Sequence, residues 1–220
     1  MAKKKTIKDV EAEEVVKDLE ETEEVEEIEE NLVDFKESVE ENGGFYIGRY
    51  EASYLDGKVA TVESSDISRS SDTADLTDGM LWNWVSQTDA LAKCEEMYEG
   101  HESGINSQLI NSYAWDTALK FIEVVEEKNV DTDSNDWGNY NSSLANTGAT
   151  SKAVACNIYD MAGNVSEWTT ENITVRGTTF SVDRGGVCNV DGAVYPAGIR
   201  DDGDPSLTDD LIGVRPLLFK

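Results

Sequence analysis

The chain has 220 residues, 39 % of them hydrophobic, and a formal net charge of −28, so it can bury one proper core and still carry an extension. A field of that sign repels phosphate backbones and excludes nucleic acid as a natural partner. Cys94, Cys156 and Cys188 are odd in number and lack C-x-x-C spacing, which excludes a disulfide framework and a zinc site and fits a reduced compartment.

Met1-Ala-Lys-Lys-Lys runs into Asp and Glu instead of an apolar stretch. The expectation is therefore no signal peptide, no membrane insertion and a chain that is cytoplasmic as synthesised. Residues 1–43 hold 17 acids against 6 bases and read as an acidic helical or partly disordered extension. Apolar residues spaced by three and four from Val25 to Val39 make the seam of an amphipathic helix or short coiled coil, although neighbouring carboxylates repel along it. A solvated tether and an oligomerising stalk, self-associating through residues 6–41, are both open. Asn42-Gly43-Gly44 ends the segment, and residues 44–220 form the domain.

Phe45 to Tyr50 alternates as a half-buried strand does, and Leu55 to Gly79, rich in Ser, Asp and Thr, reads as a long loop. Ser86 to Tyr98 predicts a helix with Thr88 as its N-cap and Ala90, Leu91, Cys94 and Met97 on one face. Asn111 to Glu127 predicts a second helix, with Trp115, Ala118, Ile122 and Val125 in phase. Residues 128–155 are loop-like. Asp131 to Asp136 imitates the opening of an EF-hand loop but lacks its sixth-place Gly and twelfth-place Glu. Two early helices followed by short strands and long loops make an α+β pattern.

The stretch Asn157 to Glu171, NIYDMAGNVSEWTTE, turns at Gly163-Asn164, where both residues tolerate positive φ, and then brings in Trp168. Asp160, Glu167 and the carbonyls between them offer oxygens to a hard cation. This stretch resembles the signature of the formylglycine-generating enzyme and sulfatase-modifying-factor family. The resemblance extends to Gly43–Ser53, Val85–Cys94, Trp115–Phe121, Arg184-Gly-Gly186 and Ile212–Pro216, in the family's order. It implies an α+β domain of the C-type lectin-like fold. It also implies a structural calcium held by Asp160, the carbonyls of Gly163 and Val165, and Glu167.

The family's enzymes oxidise a substrate cysteine to formylglycine with copper held by two cysteines, and the resemblance places those at Gly192 and Ala197. A thiolate pair suits Cu(I) and oxygen ligands do not replace it, so no copper is expected. A second branch of the family uses histidine-held iron. The one histidine here, His101, closes that route and with it a Ser-His-Asp triad. Catalysis is thus not the expectation, and no catalytic residue is assigned. The alternative is an oxidoreductase of the family with relocated ligands, which needs Cys94, Cys156 or Cys188 to converge.

From Val187 to Val214 the chain has no Glu, Lys, Gln, Met or Trp, and from Asp183 onward it has seven Asp and no Glu. Turns favour Asp over Glu, which accounts for part of the bias. Those five absent types are also the ones that no NNC triplet encodes, and AAC codons randomised at their adenines yield the mixture found here. That resembles the variable proteins of diversity-generating retroelements of phages and gut bacteria. Arg184, Gly185, Gly186, Pro196, Arg200, Ile212, Gly213 and Arg215 are then the fixed residues, with Arg184 and Arg215 pairing internally.

The changeable surface comprises Val187, Cys188, Asn189, Val190 and Asp191, then Ala193, Val194 and Tyr195. It continues through Ile199, Asp201, Asp202 and Asp204 to Leu207, Asp209, Asp210 and Leu211. Loop-borne side chains on a rigid scaffold are the general place for binding, and this mixture of apolar, Tyr and Asp residues suits a protein or cell-surface ligand. Tyr195 is the candidate anchor. Incorporation in a phage particle is the implied setting, an ordinary inactive binding paralogue the other.

Overall fold

The computed structural model describes residues 39–41, 43–68, 76–98 and 104–220. Residues 6–38 and His101 lie outside that set, and with them the tether-or-stalk alternative. β1 (Tyr46–Ile47) is followed by β2 (Ser53–Leu55), β3 (Lys58–Ala60), β4 (Asp66–Ile67) and β5 (Met80–Leu81). The long loop expected from Leu55 to Gly79 is corrected at β3 and β4, and residues 69–75 of it lie outside the described residues. Asp56 and Gly57, both at positive φ (51° and 76°), close a two-residue hairpin that pairs Leu55 with Lys58. An Asp-Gly pair is a hairpin signal, but strands of two or three residues have no periodicity to announce them.

α1 (Gln87–Glu96) begins at Ser86, whose side chain accepts from the Asp89 N–H. The cap is thus Ser86 and not Thr88, satisfying one of the helix's orphan donors. Ala90 and Cys94 face the core. β6 (Asn106–Leu109) leads into α2 (Ser112–Glu126), capped by Asn111 Oδ1 at 2.8 Å from the Ala114 nitrogen. Trp115, Ala118, Leu119 and Ile122 are buried, whereas Val125, expected in phase with them, is 54 % exposed. The inward stripe of α2 is narrower than its apolar content suggests.

β7 (Val154–Ala155) and β8 (Ile158–Tyr159) form a small hairpin before the long strands β9 (Ser166–Val175) and β10 (Thr178–Arg184). β11 (Arg200–Gly203), β12 (Ile212–Val214) and β13 (Pro216–Phe219) complete the chain. The main sheet has the order β11-β10-β9-β12, and β12 runs parallel to β9. A second sheet, β1-β13-β6, brings the domain's first and last strands side by side, and a third has the order β3-β2-β5-β4. Trp168 sits at the meeting point, fully buried among Ala52, Trp82, Val85, Leu109, Ile212 and Val214. Its indole N–H donates to the Val85 carbonyl at 2.9 Å, so the ring is buried without an unpaired donor. Few helices, short sheets and much irregular chain make this the α+β, C-type lectin-like fold.

Candidate functional site

Two neighbouring regions carry polar groups that the core does not explain. One is the turn that opens β9; the other is the irregular chain between β10 and β12.

Gly163 stands at φ 76° and Asn164 at φ 66°. A Cβ on Gly163 would lie 2.3 Å from the Asn139 carbonyl oxygen, so the turn requires glycine there. Asn164 is held at every polar atom. Its Nδ2 donates to Glu51 Oε2 at 2.6 Å and to the Ala145 carbonyl, and its Oδ1 accepts from Asn139 Nδ2 and the Ala145 N–H. Glu51 Oε1 accepts from the Val165 N–H at 3.2 Å. A carboxylate from the chain between β1 and β2 thus fixes the turn, a role that local pattern gave no means of seeing.

Glu167 and Arg215 form an ion pair with no exposure on either side. Arg215 Nε and Nη2 both donate to Glu167 Oε1, at 3.0 and 2.6 Å, while its remaining donors reach the Gly48 and Tyr159 carbonyls. Glu167 Oε2 has no hydrogen-bond partner. Asp160 Oδ2 accepts from Thr147 Oγ1 and the Gly148 N–H. Burial pushes the Glu167 carboxyl up to about 8 despite Arg215. Burial, then the charges of Asp160 and Glu167, raise Glu51 well above its usual range, and burial raises Asp160. Three carboxylates thus share one guanidinium in a desolvated space, where a net negative charge is costly.

For calcium the donor chemistry fits, since Asp160, Glu167 and the turn carbonyls are hard oxygens and one buried carboxylate oxygen is unclaimed. Among the described residues no group of three or more His, Cys, Asp or Glu is arranged around a shared metal position.

The Arg184-Gly185-Gly186 turn lies against the same cluster. A Cβ on Gly185 would come within 2.8 Å of Glu167 Oε2 and 3.2 Å of the Trp115 ring, so glycine is needed for close approach. Arg184 is buried and donates through Nη2 to Asp116 Oδ1 at 2.5 Å and to the Gly198 carbonyl, so both arginines do pair internally. Arg184 Nε and Nη1 have no partner, and burial lowers its pKa.

Gly192 and Ala197, where the resemblance puts the copper cysteines, flank Ser134. The Ser134 N–H donates to the Gly192 carbonyl and the Ala197 N–H to Ser134 Oγ, each at 3.0 Å. A side chain at 192 would meet the Tyr140 ring at 2.8 Å and the Asn135 nitrogen at 2.9 Å. Tyr140 is itself buried, and its hydroxyl donates to the Gly185 carbonyl at 2.8 Å. The Ala197 carbonyl accepts from the Trp115 indole. Packed aromatic and backbone atoms fill the place of one thiolate.

The family model for the sulfatase-modifying factor enzyme 1-like domain matches residues 94–218. The chain belongs to this family. PvdO from Pseudomonas aeruginosa superposes with a TM-score of 0.52 at 13 % identity, covering 80 % of each chain, and shares the fold. Treponema denticola variable protein 1 gives 0.47 at 14 % identity over 61 % of this chain and 69 % of its own. A Major Tropism Determinant P3c variant gives 0.48 at 12 % identity, over 80 % of this chain and half of its own length. No curated protein sequence matches the chain.

In this sulfatase-modifying-factor-like domain, the sixteen surface positions read from the sequence separate by exposure. Val194 is 62 % and Leu207 42 % exposed; Asn189, Asp191, Ala193, Asp202, Asp204 and Asp210 are exposed as well. Val187, Val190, Tyr195, Ile199, Asp201, Asp209 and Leu211 are half-buried. Cys188 is corrected: it is buried, its N–H donates to the Asn164 carbonyl, and burial pushes its thiol up to about 11. It supports the signature turn and presents nothing to solvent.

Three of the aspartates serve their own turns. Asp191 accepts from the Ala193 N–H and Asn135 Nδ2, Asp204 from the Ser206 N–H, and Asp209 from the Leu211 N–H. Such side-chain-to-backbone bonds are the reason Asp favours turns. Tyr195 bonds Asp201, which raises the phenol's pKa. Of the residues read as fixed, all are buried except Arg200, which is about half exposed and pairs with Glu171. Among the described residues, no helix is long and apolar enough to cross a membrane.

Proposed function

We propose that the chain is a non-catalytic binding domain whose C-terminal surface, residues 187–211 without Cys188, recognises a protein or cell-surface ligand. The observation that carries this reading is the filled space at Gly192. The family's soft-metal ligand is replaced by a position at which a Cβ meets Tyr140 and Asn135 within 3 Å, while the side chains around it point outward on a buried frame. Val194 and Leu207 offer exposed apolar side chains, Tyr195 is half-buried, and Asp202 and Asp210 are exposed, a mixture of the kind recognition surfaces use. The restriction of residues 187–214 to types that NNC codons encode favours a surface diversified at its adenines, displayed on a phage particle.

A structural calcium belongs to the same proposal, with Asp160, Glu167 and the Gly163 and Val165 carbonyls as the residues that would hold it. Its role there is to offset the surplus of buried carboxylate and stiffen the turn. The support is the unclaimed Glu167 Oε2.

The test is to load the purified full chain with Cu(I) and supply oxygen and a cysteine-containing peptide. The expected mass spectrum shows no formylglycine product. Multiple turnovers would overturn the non-catalytic reading and favour relocated ligands.

A further inference from the structure

α2 is apolar over more of its surface than the core uses. Ala114, Trp115, Ala118, Leu119 and Ile122 are buried and make up its inward face. Outside that face, Tyr113 is 46 %, Phe121 56 %, Val124 67 % and Val125 54 % exposed. Among the described residues, four of the nine exposed large hydrophobic side chains thus belong to this one helix, a clustering that scattered surface residues do not show. Tyr113, Thr117, Phe121 and Val124 follow one another at spacings of four, four and three, and Val125 widens the stripe at its end. The stripe is about 18 Å long. No charged side chain interrupts it, because Asp116, Lys120, Glu123 and Glu126 all fall to one side at 3.6 residues per turn.

Two of those charges are already matched: Lys120 pairs with Glu123 at 2.6 Å and Asp116 with Arg184 at 2.5 Å. The end of the helix is different. Its last turn has no basic residue, and it closes on Glu126 and the left-handed cap Glu127. Glu126 Oε1 accepts the Cys156 N–H, but among the described residues neither glutamate forms an ion pair, with the half-buried Lys128 or otherwise. A helix C-terminus carries partial negative charge and is stabilised by cations. Two acids there oppose the helix's own dipole, so stability alone gives no reason for them.

We propose that this face of α2 docks an amphipathic helix of a partner protein, one whose apolar stripe carries Lys or Arg at the end that meets Glu126 and Glu127. A helix is the occupant because the stripe is straight and one to two side chains wide, the ridge against which a second helix packs. The basic end follows from charge complementarity. The unmatched carboxylates, the dipole end on which they sit and the net charge of −28 all attract cations. The same charges oppose a second copy of the chain in this place. The contact uses none of residues 187–211, so it does not depend on the ligand surface proposed above.

The test uses the full chain and two labelled model peptides of about four helical turns, one of Leu and Lys in an amphipathic pattern and one with Glu at every Lys. Fluorescence anisotropy should show the Leu–Lys peptide binding, more weakly as salt is added, and the Leu–Glu peptide at least about tenfold weaker. Phe121→Ser with Val124→Ser should lower the affinity for the Leu–Lys peptide at least about tenfold. The unfolding midpoint should not move, because both side chains are exposed. Glu127→Lys should lower the affinity about threefold without touching the stripe. Val194→Ser with Leu207→Ser, on the C-terminal surface, should leave it unchanged. Binding indifferent to the Phe121 and Val124 changes would reduce the attraction to net charge and overturn the proposal. So would loss through the Val194 and Leu207 changes, equal binding of both peptides, or binding of neither.

Discussion

Arg215 is the cation on which the buried carboxylates Glu51, Asp160 and Glu167 depend. Arg215→Met leaves them uncompensated, and breaking a buried pair from that side costs about 3–5 kcal/mol; urea denaturation should show a loss of that size or no folded protein. Glu167→Gln keeps an acceptor for Arg215 and removes one negative charge, so it should cost clearly less in the same measurement. The pH dependence follows from the same residues. Glu167 titrates near 8 in the folded chain against 4.5 as a free side chain, and Asp183 near 6 against 3.8. Between those values the folded state holds more protons than the unfolded, so stability falls as pH rises. The midpoint of thermal unfolding in chelator should therefore drop from pH 5 to pH 8, and calcium should restore more of it at pH 8 than at pH 5. A midpoint that rises over this range would show the cluster to be ionised without difficulty.

At the scale of elements, the frame and the changeable surface should respond differently to substitution. Trp168→Ala empties the junction of the core and should cost about 3–5 kcal/mol, and Asn111→Ala removes the cap of α2 at about 1 kcal/mol. Val194→Ser and Leu207→Ser, on exposed irregular chain, should stay within about 0.5 kcal/mol of the parent. Both helices were legible from their 3.6-residue pattern, as were the signature turn and the glycines after Arg184. The strands between Leu55 and Gly79 were not, because two- and three-residue strands are set by tertiary pairing and not by propensity. Thr88 and Ser86 both carry a hydroxyl that fits the cap pattern, and only the extended backbone at Ser86 decides between them. In the candidate site, Arg215 and Arg184 were readable as internal partners. Glu51 and Tyr140 were not, since their roles arise from contacts more than 40 residues away in sequence. Cys188 was misplaced because position in an irregular segment says little about which way a side chain turns.

For the molecule as a whole, membership of the sulfatase-modifying-factor-like family fixes the scaffold, and the packing of Tyr140 and Asn135 against Gly192 leaves little room for a side chain there. Restoring the thiols as Gly192→Cys with Ala197→Cys should not restore a metal site. The new side chain at 192 must displace a locked Tyr140, and overpacking of this kind costs about 1–3 kcal/mol, read as a lowered unfolding midpoint without copper binding. The proposed function treats the molecule as a rigid frame carrying replaceable outward side chains, and one experiment addresses that directly. The full chain, displayed as a library randomised at Asn189, Asp191, Ala193, Val194, Tyr195 and Leu207, is sorted first for protease resistance and then for binding to an arbitrary folded protein. The account predicts that most members resist protease like the parent and that binders absent from the parent emerge; general loss of protease resistance would contradict it.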